Sequence, residues 1–248
     1  MKIIPLSEGA FTVDKTKQFV PFKLNSDDLQ QRPVGSLLVE VQPFAVITDK
    51  DILVIDTGLG FSNENSILQI HQNLLDNGIN PSDVTKVLLS HLHKDHSGGI
   101  SREDALSKQR TLSFPNATYY VNKDELEYAL SKGKPSYIPE DFDMLQNSAQ
   151  VKLTQGNGRI DDYIKYEVTD AHSPYHQIFK INGNGQTIFF GGDVAPQLQQ
   201  MKNRFIAKYD FDGKKCMELR QQWWVQGQKE NWIFLFYHDV KTPVYPTS

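Results

Sequence analysis

Cysteine is almost absent from this chain: Cys216 is the sole one among 248 residues. That excludes an internal disulfide framework, and in its helix-like segment Cys216 reads as filler, not as nucleophile or ligand. Long apolar runs are also missing. No stretch approaches the ~20 residues that a membrane helix needs, and residues 1–9 lack the apolar core of a signal peptide. The expectation is a cytoplasmic protein with no membrane partner. Positive charge is not in excess, with 26 Lys and Arg against 30 Asp and Glu, a net charge of −4 and a pI near 6.0. Together with the lack of a basic run interleaved with aromatics, this argues against a nucleic-acid partner. No Gly-x-Ser-x-Gly elbow occurs. No low-complexity linker interrupts the chain, so a single domain over residues 1–248 is expected.

What is present concentrates in His91-Leu92-His93-Lys94-Asp95-His96, four metal-competent side chains within six residues. Alternate residues of an extended chain share a face, so His91 and His93 can point into one cavity. Ser97-Gly98-Gly99 then supplies a permissive turn, which lets Asp95 and His96 face that cavity from the other side. Imidazole and carboxylate donors suit zinc, with iron, manganese or cobalt as alternatives. The run follows apolar Val87-Leu88-Leu89, which reads as a buried strand end and argues against a histidine-rich surface loop.

Seven histidines occur in all. His172 lies in a turn after the strand-like residues 164–168. Asp193, His238 and Asp56 end the apolar runs 187–193, 232–238 and 52–56. Polar residues at the ends of several buried strands are the usual way in which a sheet assembles a site. Ile67, Ile70 and Leu74 recur at helical spacing and put His71 on a helix, where a surface position is expected. For His176, a hydrogen bond to the site and ordinary packing both stay open.

Taken in order (Asp56, the His-x-His-x-Asp-His run, His172, Asp193, His238), these segments resemble the metallo-β-lactamase superfamily over residues 56–238. The resemblance implies an α/β (α+β) fold, an αββα sandwich of two mixed β-sheets flanked by helices. It implies that His91, His93 and His172 bind a first metal and Asp95, His96 and His238 a second. Asp193 would bridge the two, and Asp56 would hold the ligand loop without ligating. Two zinc ions about 3.5–4 Å apart would share a water whose pKa falls from about 15.7 toward roughly 7. They would also polarise the substrate oxygen. Asp95 would orient the hydroxide and pass a proton to the leaving group.

Differences among the superfamily's branches narrow the reaction. The β-lactamases proper carry Cys where Asp193 stands, and the diiron oxidoreductases carry Glu where His93 stands, so neither branch fits. Gly192-Asp193-Val194-Ala195-Pro196, Tyr209-Asp210, Phe236-Tyr237-His238-Asp239 and residues 114–121 resemble N-acyl-homoserine lactonases and organophosphate hydrolases. The resemblance therefore implies a lactonase-like hydrolase of the quorum-quenching kind, cleaving a lactone or related ester as its small-molecule substrate. The alternatives are a glyoxalase II-type thioesterase, a phosphoester or phosphotriester hydrolase, an iron dioxygenase, and a metal-binding protein without turnover. The oligomeric state is open, a homodimer included. Where the best-known lactonases place a Tyr three residues after the bridging Asp, this chain has Pro196, with neither hydroxyl nor backbone N–H. The family's Pro-Gly-His-Ser-Pro-Gly-His becomes Asp170-Ala171-His172-Ser173-Pro174-Tyr175-His176, without glycine. Tyr175 then either enters the pocket or fills a cavity beside the strand. Tyr175 and Tyr237 are the candidates to supply the missing hydroxyl.

Along the chain, residues 37–56 read as a meander of three strands. A helix from about Asn65 stops at Asn77-Gly78, and residues 84–90 form a strand. Asn122-Lys123-Asp124-Glu125 opens a helix in a pattern close to a capping box. The Pro-containing stretch within 133–147 is either a lid over the pocket or an ordinary connection. Asn182-Gly183-Asn184-Gly185 marks a hairpin turn, and a helix over 214–229 precedes a closing strand over 231–237.

Overall fold

Short strands with apolar side chains on both faces generate two sheets, which bury one cluster between them and further clusters under the outer helices. The computed structural model describes residues 1–103 and 108–247. The chain begins with β1 (Lys2–Pro5), β2 (Gly9–Val13), β3 (Phe19–Pro21), β4 (Leu37–Val41), β5 (Phe44–Ile47) and β6 (Ile52–Ile55). Then come α1 (Gln69–Asp76), β7 (Lys86–Leu88), α2 (Lys94–Ser97), β8 (Ser101–Glu103) and β9 (Arg110–Leu112). The first half closes with β10 (Thr118–Asn122), α3 (Lys123–Lys132), α4 (Pro139–Phe142) and β11 (Val151–Thr154). The second half carries β12 (Gly158–Ile160), β13 (Ile164–Val168), β14 (Gln177–Gly183), β15 (Gln186–Phe190), α5 (Leu198–Lys202), α6 (Gly213–Glu230), β16 (Ile233–Leu235) and β17 (Val244–Pro246).

One sheet runs β1-β5-β6-β7-β10-β11 and the other β12-β13-β14-β15-β16-β17, each mixing parallel and antiparallel pairs. The facing pairs Phe44↔Ile55 and Val46↔Leu53 meet Phe179↔Phe190 and Ile181↔Ile188 of the other sheet in one buried cluster. The intervening residues point outward. Ala45 and Val54 pack under Ile70 and Leu74 of α1 and Leu126 of α3, while Ile178 and Phe189 pack under Cys216 and Trp223 of α6. A register slip of one residue would exchange these faces, so burial itself fixes the pairing. The result is the expected αββα sandwich. Among the described residues, no helix is long and apolar enough to cross a membrane.

Four local expectations are corrected. The meander over residues 37–56 is split: β5 and β6 pair, but β4 joins β2 and β3 in a separate small sheet. Pro43 forms the corner, with no N–H to continue a ladder and its carbonyl accepting from Leu6 N at 2.8 Å. Helix α1 starts at Gln69 because Ser66 adopts φ 59° and Asn63 Oδ1 accepts from Asn65 N and Ile67 N, which closes a turn first. The closing strand is shortened by Asn231, which ends α6 in the left-handed region, and it gains an unanticipated neighbour in β17. His71 is buried on α1, its ring edge-on to Phe114 with centroids 5.1 Å apart, and is not a surface residue.

Candidate metal centre

Strand β7 delivers the loop with His91 and His93, and α2 then presents Asp95 and His96 from a single helical turn. Gly98 and Gly99 serve close approach here, not the turn that the sequence suggested. A Cβ at Gly98 would lie 2.2 Å from Leu59 O, and one at Gly99 would lie 2.2 Å from Thr57 O. The loop after β6 is thereby pressed against the ligand loop. Asp56, in the left-handed region at φ 54°, accepts from Ser90 N and Ser90 Oγ at 2.7 Å each and meets His96 Nδ1 at 2.7 Å.

Seven side chains converge. His91 Nε2 lies 2.9 Å from His93 Nδ1, which lies 3.1 Å from His172 Nε2. Asp193 divides its two oxygens. Oδ2 is 3.4 Å from His172 Nε2, whereas Oδ1 is 3.2 Å from His96 Nε2 and 3.1 Å from His238 Nε2. Asp95 Oδ2 is 3.7 Å from His96 Nε2 and 3.5 Å from His238 Nε2. Donors bound at 2.0–2.2 Å around a tetrahedral cation sit about 3.3–3.6 Å from one another, close to these separations. His96 Nε2 and Asp193 Oδ1 are buried without a hydrogen-bond partner among the described residues. Leaving such atoms unsatisfied costs about 1–3 kcal/mol each, and a cation between the donors removes that cost. The His and Asp clusters thus fit a dinuclear metal site.

Most of these imidazoles are fixed from behind. His172 Nδ1 meets Asp210 Oδ1 at 2.8 Å, and His238 Nδ1 donates to Glu40 O at 2.6 Å. His91 Nδ1 lies 3.0 Å from Ser90 Oγ. These bonds turn Nε2 toward the centre. His93 differs, presenting Nδ1 and packing its ring on Tyr137 at 4.8 Å. Burial, reinforced by neighbouring histidines, holds His91 and His93 well below the usual imidazole range, so both are neutral and ready to ligate. At His96 burial also opposes the proton, but Asp193 and Asp95 outweigh it and raise the group. For Asp193, burial raises the carboxyl, but His238, His96 and His172 pull it well below its ordinary value.

His176 takes the hydrogen-bonding alternative. Its Nε2 accepts from Asp193 N at 3.2 Å, and its Nδ1 lies 3.2 Å from Thr169 Oγ1. Neither expected phenol faces the cavity. Tyr237 is fully buried, stacks on His96 at 4.0 Å and donates its hydroxyl to Asp95 O at 2.6 Å. Tyr175 packs edge-on to Tyr128 at 5.8 Å, the cavity-filling alternative. Among the described residues, the phenol that lines the cavity is Tyr209, and Pro196 lines it too. The cavity holds about 700 Å³ above His93, Asp95, His172, Asp193 and His238, with an apolar wall of Leu37, Leu38 and Val39. Of residues 133–147, Ser136 reaches its rim, and Ser136 O accepts from Lys94 N at 2.9 Å. That stretch borders the cavity at Ser136.

The sequence gives Glu125 only a part in the helix-opening pattern, but its buried carboxylate accepts from Leu92 N at 3.0 Å and from Ser173 Oγ at 3.3 Å. It braces both ligand loops at once, and burial pushes it up to about 7.

The family model described as metallo-beta-lactamase superfamily matches residues 38–223. The N-acyl homoserine lactonase AttM of Agrobacterium fabrum is 37% identical over 143 residues, covering 52% of this chain and 48% of that protein. The chain thus spans about half the length of this curated relative. A probable metal-dependent hydrolase from Staphylococcus aureus superposes with a TM-score of 0.79 at 22% identity, over 100% of this chain and 92% of that one. AidC, a dizinc quorum-quenching lactonase, superposes with a TM-score of 0.71 at 17% identity, over 98% and 88%. At these identities the superpositions speak for the fold alone.

Proposed function

The chain belongs to the metallo-β-lactamase superfamily, and from that premise we propose that it is a two-zinc hydrolase opening lactones or related carboxylic esters. The observation that carries this reading is Asp193, whose two oxygens address two separate sets of imidazole donors under one cavity. The likeness to the lactonase AttM over half the chain supports the ester class. His91, His93 and His172 would hold one cation, Asp95, His96 and His238 the other, with Asp193 between them. When bound, the pair would supply an activated water and polarise the substrate carbonyl.

The remaining work falls to the chain's own groups. One water adds across the acyl C–O bond, giving a carboxylate, an alcohol and one proton. Asp95, with Oδ2 facing His96 and His238, takes a proton from the attacking water and returns it to the leaving oxygen. To Tyr209, which lines the same cavity as Pro196, this reading gives the donation of a hydroxyl to the carbonyl oxygen, a role that Pro196 cannot fill. Leu37, Leu38 and Val39 seat the apolar part of the substrate.

Protein expressed with adequate zinc is assayed against lactones, thioesters, phosphotriesters and phosphodiesters, with metal content measured alongside. About two zinc ions per chain and preferential turnover of lactones are expected. Turnover of a glutathione thioester with every lactone inert would replace this reading by a glyoxalase-type one. An undiminished metal-free enzyme would remove the two-metal premise.

A further inference from the structure

The mouth of the cavity carries charge of the opposite sign to the chain as a whole. The chain has a net charge of −4, yet Lys15, Lys17, Lys94 and Lys208 all line this cavity, against Asp14 as the one carboxylate there that is not a metal-ligand candidate. The lysines come from three separate segments: the β2–β3 turn, the start of α2, and the loop that carries Tyr209 and Asp210. Among the described residues, none of the four forms an ion pair, whereas Lys86, Lys108, Lys134 and Lys180 elsewhere do. Asp14 is occupied within its own turn, accepting from Thr16 N at 2.8 Å and from Thr16 Oγ1 at 2.5 Å.

Two of these cations are also held in place. Lys17 Nζ donates to Ser136 Oγ at 2.5 Å. Lys94 Nζ donates to Lys17 O and lies 5.6 Å from the centre of the Phe19 ring. These contacts tie the turn to the ligand helix and to the border at Ser136. Unpaired cations gathered in a concave site focus field and raise the local concentration of anions. A neutral acyl chain would use the apolar wall and gain nothing from the lysines. An ester with an apolar middle and an anionic far end uses both.

We propose that the substrate carries a negative group, a carboxylate or a phosphate, remote from the bond that breaks, and that Lys15, Lys17, Lys94 and Lys208 recognise it. The proposal rests on the hydrolase reading above and adds the substrate's charge to it. The test uses metal-loaded protein and a set of esters identical at the reacting carbonyl, ending in methyl, carboxylate, phosphate or trimethylammonium. The anionic members should show kcat/KM about tenfold above the methyl one at low salt, equivalent to about 1.4 kcal/mol. The advantage should fade between roughly 0.01 and 1 M salt, as the Debye length falls from about 30 to about 3 Å. Lys15→Glu and Lys208→Glu should each shrink the ratio, and the carboxylate and phosphate members show which anion is preferred. The matched unstrained amides, which bind without turnover, give the same comparison as calorimetric Kd values. Equal kcat/KM and equal Kd across the set, insensitive to salt, would overturn the proposal and leave the hydrolase reading standing. Preferential binding of anionic amides with no ester cleaved would overturn the hydrolase reading and leave the anion site standing.

Discussion

Each imidazole of the centre depends on the group behind it, and Asp210 shows what such a group contributes. It fixes His172 with Nδ1–H toward itself and Nε2 toward the metal position, at 2.8 Å and from a sequence distance of 38 residues. Groups in this position commonly change metal affinity or activity by about 10–100-fold. Asp210→Ala should therefore weaken metal binding by about that factor, read by competition with a chromophoric chelator; unchanged affinity would leave His172 oriented by its loop alone. Tyr209 makes a different demand. If its hydroxyl serves the developing oxyanion, Tyr209→Phe should lower kcat by about 10²–10³-fold while KM moves little. A change confined to KM would make it a binding group only.

At the scale of elements, helix α6 governs the loop that follows Asp193. Its fully buried Arg220 donates from Nη1 to Val194 O at 2.8 Å and from Nη2 to Phe205 O at 2.5 Å, bracketing the residues between. Arg220→Met leaves the buried Val194 carbonyl and the part-buried Phe205 carbonyl without donors, so unfolding in urea should show a loss of about 2–4 kcal/mol. Tyr209 should lose its place at the same time, with a lower kcat/KM. Arg220→Lys should recover only part of both, because one ammonium does not span two carbonyls as a guanidinium does. The His91–His96 run was legible because its ligands sit within one loop, where spacing alone fixes which side chains can converge. The strand ends at Asp56, Asp193 and His238 were legible because a short unbroken apolar run marks a buried strand and a polar residue stops it. Glu125 was not, since its helix-opening position invites a capping role that Asn122 fills through bonds to Asp124 N and Glu125 N. Tyr237 was expected in the cavity and Tyr209 was given no role for a related reason: whether a phenol enters a cavity is decided by packing between segments far apart in the chain. The split of β4 from β5 likewise depended on Pro43 turning a corner, which hydrophobic alternation does not register.

The stability of the molecule as a whole should respond to metal at the candidate centre and to its buried titratable groups. A ligand held at 1,000 times its Kd adds about 4.1 kcal/mol to stability, so chelation should lower the Tm by on the order of 10 °C for a chain of this size. Asp193→Ala should show a much smaller drop on chelation, and an equal drop would mean that the metals bind without that bridge. A second dependence is independent of the centre and comes from His71. Burial, aided by the charge of Arg102 and opposed by a bond to Ser113, lowers this imidazole from 6.5 to about 4, and its Nε2 has no hydrogen-bond partner among the described residues. The folded chain therefore keeps His71 neutral where the unfolded chain has already taken up a proton. The associated stability is fully present above pH 6.5, falls as the pH drops below that value, and levels off beneath about 4, after a loss of about 3 kcal/mol. At pH 5 the loss relative to pH 8 is about 2 kcal/mol. His71→Met removes the titration and keeps an apolar side chain against Phe114. Its stability difference from the parent chain should thus shift in the variant's favour by about 2 kcal/mol between pH 8 and pH 5. Taking the difference at each pH cancels any acid-driven release of metal, since both proteins share the centre. A difference that stays constant across that range would mean that His71 protonates as readily in the folded chain as in the unfolded one.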